Sequence, residues 1–215
     1  MKQGLTELIF ILDRSGSMGG LEADTIGGYN SLLTKQKAIP GECRITTVLF
    51  SHSAELLHDR TDLQAVSLLT DADYRVGGST ALLDAIGSTL NKIGNAIKHT
   101  AEDFRPEKVL VAIITDGEEN ASRYYGSDQI KAMIKRQQDK YGWEFLFLGA
   151  NIDAVETASR YGIRAERASR YHADKAGMDL NYGSMSETIV NLRVNKTISD
   201  NWKQAIDDDY SKRSQ

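Results

Sequence analysis

Sulfur chemistry is almost absent from this chain: Cys43 is the single cysteine in 215 residues. Neither an internal disulfide nor a thiolate metal cluster can form, and a reducing compartment is expected. Proline is nearly as scarce, with only Pro40 and Pro106. Without a low-complexity tract, an internal repeat or a linker, residues 1–215 read as a single domain. Long hydrophobic runs are missing too. The first, Leu8–Leu12, is far shorter than the roughly 20 residues that span a bilayer or than a signal peptide's apolar region. That argues against membrane insertion and for a cytoplasmic location. No surplus of positive charge exists either, since 26 Lys and Arg stand against 30 Asp and Glu. No Lys or Arg cluster is dense enough to track a phosphate backbone, which argues against nucleic acid as a partner.

What is present is a hydrophobic content of 40%, enough for one well-buried core. Four short apolar runs recur, Leu8–Leu12, Ile45–Phe50, Val109–Ile114 and Phe145–Leu148. Rich in Val, Ile and Phe and free of polar alternation, they suit strands buried on both faces. Between them lie helical patterns. Leu82, Ile86, Leu90, Ile93 and Ile97 draw one stripe along a helix expected from about Thr80 to His99, and Leu21, Ile26, Tyr29 and Leu33 draw a rougher one, as do Ile130, Met133 and Ile134. Strands alternating with helices predict an α/β fold: a Rossmann-like, mostly parallel sheet with helices on both faces. Ala54–Arg60, of mixed polarity, is expected to be one antiparallel edge strand.

The last third gives weaker signals. Asn151–Tyr161 and Ser184–Leu192 read as helices, the second opening with Ser184 and Glu187 at capping-box spacing. Trp202, Ile206 and Tyr210 suggest one face of a terminal helix that docks back on the domain, with Asp207, Asp208 and Asp209 as its solvated side. Tyr171-His172-Ala173-Asp174 and Asn181-Tyr182 read as ordinary loop and surface, a partner surface being the alternative.

In an open parallel sheet ligands gather beyond the carboxyl ends of the strands. Three stretches there carry oxygen ligands: Asp13-Arg14-Ser15-Gly16-Ser17, Gly77-Gly78-Ser79-Thr80, and Thr115-Asp116-Gly117-Glu118-Glu119-Asn120. Carboxylates and hydroxyls suit a hard cation such as magnesium, whereas zinc asks for His or Cys. Alternate positions of a tight loop can face one point, so Asp13, Ser15 and Ser17 can share an ion while Gly16 relieves the backbone. Any one loop could be turn and cap chemistry alone; three with complementary oxygens favour a metal site. His52, His58, His99 and His172 share no ligand spacing and read as surface or packing residues, and Cys43 as a small buried one.

These residues resemble a family. Asp13-x-Ser15-x-Ser17, the Thr of Gly-Gly-Ser-Thr80, and Asp116 in Ile-Thr-Asp-Gly are similar to the metal-ion-dependent adhesion site (MIDAS) of von Willebrand factor A (vWA) domains. The resemblance covers a core of about residues 5–165 and leaves about 166–215 as an extension packed on it. It implies that Ser15, Ser17 and Thr80 coordinate Mg2+ or Mn2+ directly while Asp13 and Asp116 often act through water. It also implies that an acidic side chain of a protein partner, Asp or Glu, completes the coordination. A stand-alone, cytoplasmic, bacterial-type member of this kind often works beside an AAA+ ATPase or chelatase. Such a motor would be a separate chain, because no Gly-x-x-x-x-Gly-Lys phosphate loop is present. Glu118 and Glu119 could add charge beside the ion or compete with the partner's carboxylate, and Arg123, Tyr124 and Tyr125 could form a rim.

The rival reading is phosphoryl transfer through an aspartyl-phosphate at Asp13. Phosphatases of that type want a second Asp two residues on, where Ser15 stands. Phosphorylated receivers want an acidic pair beside the ion and a late Lys, and Glu7 lies on the strand instead. With no general acid among the ligands, the expectation is a binding module with no catalytic residues rather than an enzyme.

Overall fold

A computed structural model describes residues 1–214. Its strands are β1 (Lys2–Asp13), β2 (Cys43–Phe50), β3 (Ala54–Asp62), β4 (Pro106–Thr115), β5 (Glu144–Ala150) and β6 (Ala168–Tyr171). Its helices are α1 (Glu22–Lys37), α2 (Leu82–Lys98), α3 (Ser127–Tyr141), α4 (Ala154–Arg160), α5 (Lys175–Asn195) and α6 (Gln204–Arg213). The strands form one sheet in the order β3-β2-β1-β4-β5-β6. All neighbours run parallel except β3, which turns back antiparallel beside β2 as the edge strand.

The unbroken apolar runs are divided by the pleat. Leu8, Phe10 and Leu12 face one layer with Tyr29, Leu33, Met185 and Ile189, so α1, α5 and α6 cover that side. Ile9 and Ile11 face the other with Ile86, Leu90, Ile130 and Ala158, from α2, α3 and α4. The register sets Leu8 opposite Ile45 on β2 and Leu110 on β4, so the most apolar segments lie side by side at the centre. Glu7 breaks the apolar order of β1 and is fully buried, held by Arg60 of the edge strand through Nε–H to Oε1 at 2.5 Å and Nη2–H to Oε2 at 2.8 Å.

The chain after residue 165 departs from the expectations above. β6 extends the sheet beside β5, pairing Phe147 with Ala168 and Ala150 with Tyr171, although no apolar run marks it. Helix α5 begins at Lys175, not Ser184. Its cap is Asp174, whose carboxylate accepts the Gly177 N–H at 2.9 Å, and Ser184 and Glu187 lie mid-helix. Tyr171, Asn181 and Tyr182 are neither loop nor partner surface: all three are buried in the layer under the sheet. The terminal helix does dock, through Ile206 and through Trp202 just before it, whose indole N–H reaches the Glu166 carbonyl at 2.7 Å. Its aspartates are partnered within the chain: Asp207 accepts from Ser169 Oγ at 2.6 Å, Asp208 from Gln204 at 2.8 Å, and Asp209 pairs with Arg213 at 3.0 Å. Among the described residues no helix is long and apolar enough to cross a membrane.

Candidate metal centre

The chain leaves β1 toward β2 and leaves β4 toward β5, so the connections diverge between the adjacent strands β1 and β4. A crevice opens at such a switch point, and Asp13 and Asp116 emerge on its two sides. The three oxygen-bearing loops meet there. Gly16 N–H donates to Gly78 O and Gly77 N–H to Arg14 O, both at 2.9 Å, which fastens the first loop to the second. Thr80 fastens the second to the third: its N–H donates to Asn120 Oδ1 at 2.9 Å, and its carbonyl accepts Asn120 N–H at 3.0 Å and Ala121 N–H at 3.2 Å. Gly78 has φ +82, a backbone that L side chains rarely adopt.

Asp13 is 1% exposed, with both carboxylate oxygens engaged. Oδ1 accepts Ser15 N–H at 2.7 Å, and Oδ2 accepts the Thr115 hydroxyl at 2.6 Å. Tyr74 donates its hydroxyl to the Asp13 carbonyl from beneath. Ser15 Oγ lies 3.1 Å from Ser17 Oγ, which donates to Asp116 Oδ1 at 2.6 Å. Asp116 Oδ2 is buried with no hydrogen-bond partner. Thr80 joins the group across Gly117: a side chain there would meet Ser17 Oγ at 3.0 Å and Thr80 Oγ1 at 3.4 Å, so both hydroxyls border that glycine. Asp13, Ser15, Ser17, Thr80 and Asp116 are thus brought to one place.

The charges there are poorly compensated by the chain itself. Burial raises the Asp13 carboxyl above the usual range against the pull of its bonds to Ser15 and Thr115. Burial, aided by the nearby Asp13 charge, raises that of Asp116 despite its Ser17 bond. Arg14, the cation nearest in sequence, turns outward, with Nη2 on Glu55 at 2.5 Å and Nη1 on the Asp73 carbonyl at 3.2 Å. Two carboxylates, one of them with an orphaned buried oxygen, and three hydroxyls, with no lysine or arginine among the described residues paired to either carboxylate, fit a small hard dication. Among the described residues no three His, Cys, Asp or Glu side chains gather to hold a metal by themselves, so the hydroxyls are essential to that fit.

Sequence reasoning passed over Thr115 and Asn120. Thr115, next to Asp116 in the sequence, is the strut between the first and third loops. Glu119 was open to two readings beside the ion; instead its carboxylate accepts the Leu83 N–H in the first turn of α2 at 2.8 Å and, within its own loop, the N–H groups of Ala121 at 2.9 Å and Ser122 at 2.7 Å. Glu118 is exposed.

No protein-family model and no curated protein matches the sequence. Solved structures do match the fold. A von Willebrand factor type A protein from Catenulispora acidiphila is 14% identical with a TM-score of 0.58, over 86% of this chain and 42% of that one. The manganese-loaded TRAP protein of Plasmodium vivax is 16% identical with a TM-score of 0.54, over 84% and 73%. Proximal thread matrix protein 1 from the mussel byssus, with a zinc-occupied MIDAS motif, is 14% identical with a TM-score of 0.57, over 87% and 45%. The chain spans less than half the length of the first and third of these. Such likeness defines the fold as that of a vWA domain, Rossmann-like with one antiparallel edge strand.

Proposed function

We propose that this chain is a metal-dependent protein-binding module. Asp13, Ser15, Ser17, Thr80 and Asp116 hold one Mg2+ or Mn2+, and a partner protein completes the coordination with an Asp or Glu carboxylate. The observation that carries the reading is Asp116 Oδ2, a carboxylate oxygen buried without a donor beside two serine hydroxyls and Thr80. Leaving such a group unsatisfied costs about 1–3 kcal/mol or more, and a dication removes that cost. The manganese-loaded TRAP protein and the mussel protein with its zinc-occupied MIDAS motif support a divalent ion at this place in the fold, and the all-oxygen ligand set favours Mg2+ or Mn2+ among such ions. A bound ion with one open position makes a charge-assisted contact that exists only when metal and partner are both present.

In this reading residues 1–215 act as a single cytoplasmic domain, with a separate AAA+ ATPase among the candidate partners and no catalysis of its own. The reading gives the resident hydroxyls and carboxylates the work of holding an ion and assigns none of them proton donation for hydrolysis. The test is capture from a lysate by the immobilised chain in millimolar Mg2+ and in EDTA, with Asp13→Ala and Thr80→Ala as controls. A protein retained only by the wild type and only with Mg2+ supports the reading. Equal retention by both variants, or in EDTA, refutes it.

A further inference from the structure

The loop from Gly117 to Gly126, which carries the chain away from Asp116, has neither helix nor strand, yet side-chain carboxylates hold five of its backbone N–H groups. Asp84, in the first turn of α2, accepts three consecutive backbone N–H groups: Arg123 at 2.8 Å, Tyr124 at 2.9 Å and Tyr125 at 3.0 Å. Ser122 Oγ in return accepts the Asp84 N–H at 3.0 Å, and Glu119 holds the preceding turn as described. Tyr125 lies flat on Gly87 of α2, where an added Cβ would come within 2.4 Å of the ring, and its hydroxyl accepts from Asn91 at 2.7 Å. The side chains of the two residues before it are left outside. Tyr124 is 82% exposed, the most exposed large hydrophobic residue of the described chain, and Arg123 is exposed with no ion-pair partner among the described residues.

A fold that fixes a backbone so completely has already met the ordering cost that a flexible loop would meet on binding. The residues it displays, Tyr and Arg, are those that most often dominate protein interfaces. We propose that Arg123 and Tyr124 are the second contact of the partner captured at the metal. The segment they fit is acidic: one carboxylate goes to the ion, a second acidic side chain pairs with the Arg123 guanidinium through two parallel N–H bonds, and an apolar side chain covers the Tyr124 ring. This assignment rests on the metal-capture reading and adds the chemistry of the partner to it. Arg123 reads charge and Tyr124 supplies area, so the metal alone does not set which acidic protein is chosen.

The experiment selects a library of short random peptides on the immobilised full chain in millimolar Mg2+, with elution by EDTA, and measures the selected peptides against variants. Peptides with two acidic positions at a fixed spacing are expected. Arg123→Ala and Tyr124→Ala should each weaken them about tenfold, the range of an interface anchor, while each variant keeps the wild-type thermal shift with Mg2+. Selection repeated on Arg123→Ala should no longer demand the second acid, and Arg123→Lys should recover part of the affinity. If both alanine variants bind within about twofold of wild type, by the same affinity scale, while Asp13→Ala abolishes binding, the rim assignment falls and the metal reading stands. Binding that survives EDTA and Asp13→Ala overturns the metal reading itself. A selection that returns no Mg2+-dependent peptide overturns the rim assignment, and the Mg2+ thermal shift then judges the metal site separately.

Discussion

Asp116→Asn is the sharpest single probe of the candidate metal centre, because it keeps the shape of the side chain and removes its charge. In the wild type, Oδ1 takes the Ser17 hydroxyl at 2.6 Å while Oδ2 has no donor, and the neighbouring Asp13 is also buried. Without metal, the substitution removes one of two crowded negative charges, so the variant in EDTA should melt at or above the wild-type temperature. With metal the order reverses. An ion at a hundredfold its Kd stabilises the folded state by about 2.7 kcal/mol, and a chain of this size gains about 2–4 °C for each kcal/mol. Saturating Mg2+ or Mn2+ should therefore raise the wild-type melting temperature by about 5–11 °C. Asp116→Asn should show almost none of that shift. Thermal unfolding followed by circular dichroism, titrated with each ion after exhaustive treatment with EDTA, gives both numbers. A wild type that ignores both ions, or a variant that shifts as far as the wild type, would refute the coordination described here.

Other parts of the molecule make independent predictions. Arg60→Ala strands the buried Glu7 carboxylate and should cost about 3–5 kcal/mol in urea unfolding; a loss below about 1 kcal/mol, the worth of a surface pair, would mean that Glu7 finds other solvation. Gly27→Ala and Gly177→Ala should move stability in opposite directions. At Gly27, in the interior of α1, a Cβ meets nothing within 4 Å, so alanine should gain about 0.5–1 kcal/mol. At Gly177 it would lie 2.0 Å from the His172 carbonyl, so alanine should cost about 1–3 kcal/mol; equal melting temperatures for the two variants would contradict the packing of α5. His58 is buried against Thr47, and burial lowers its pKa below the ordinary 6.5. The unfolded chain then binds the extra proton first, so the stability of the neutral imidazole is complete above pH 6.5 and declines as pH falls from there through the lowered folded value. The difference in stability between wild type and His58→Gln should shrink over that window, and a difference independent of pH would exclude the histidine as its source.

The centre of the fold was legible because it follows from short-range rules. The runs at Leu8–Leu12 and Val109–Ile114 are apolar at every position and are buried on both faces, and the stripe from Leu82 to Ile93 is a single helix face. The oxygen-bearing loops were legible for the same reason, since they sit where those strands must end. The last third obeys longer-range rules. Four residues, Ala168–Tyr171, make a strand only because β5 offers its edge. The buried face of α5 includes Gly177, Asn181, Ser186, Thr188 and Arg193, which erases the apolar period by which a helix is recognised. Gly28 meets the Tyr182 ring so closely that a Cβ there would come within 2.3 Å, a fit that no pattern within either helix announces. Arg193 is spent on the carbonyls of Gln36 at 2.6 Å, in the last turn of α1, and of Ile39 at 3.0 Å and Gly41 at 3.1 Å just beyond it. Thr115 was passed over and Glu119 misjudged for a related reason, as each has a decisive partner outside its own loop, Asp13 of β1 for the first and Leu83 of α2 for the second.

The central place of β1 has a mechanical consequence. Asp13 is the last residue of a strand that pairs in parallel with β2 from Thr6 to Asp13 and with β4 from Thr6 to Leu12. Traction on an object gripped at that end runs along the strand axis, so it loads both ladders in shear. Their hydrogen bonds must then give way together, not one after another as in a peeled hairpin. If the proposed metal site grips a partner, the grip would sit at the end of a strand paired on both sides, and tension carried to the opposite end of β1 would not first open the sheet.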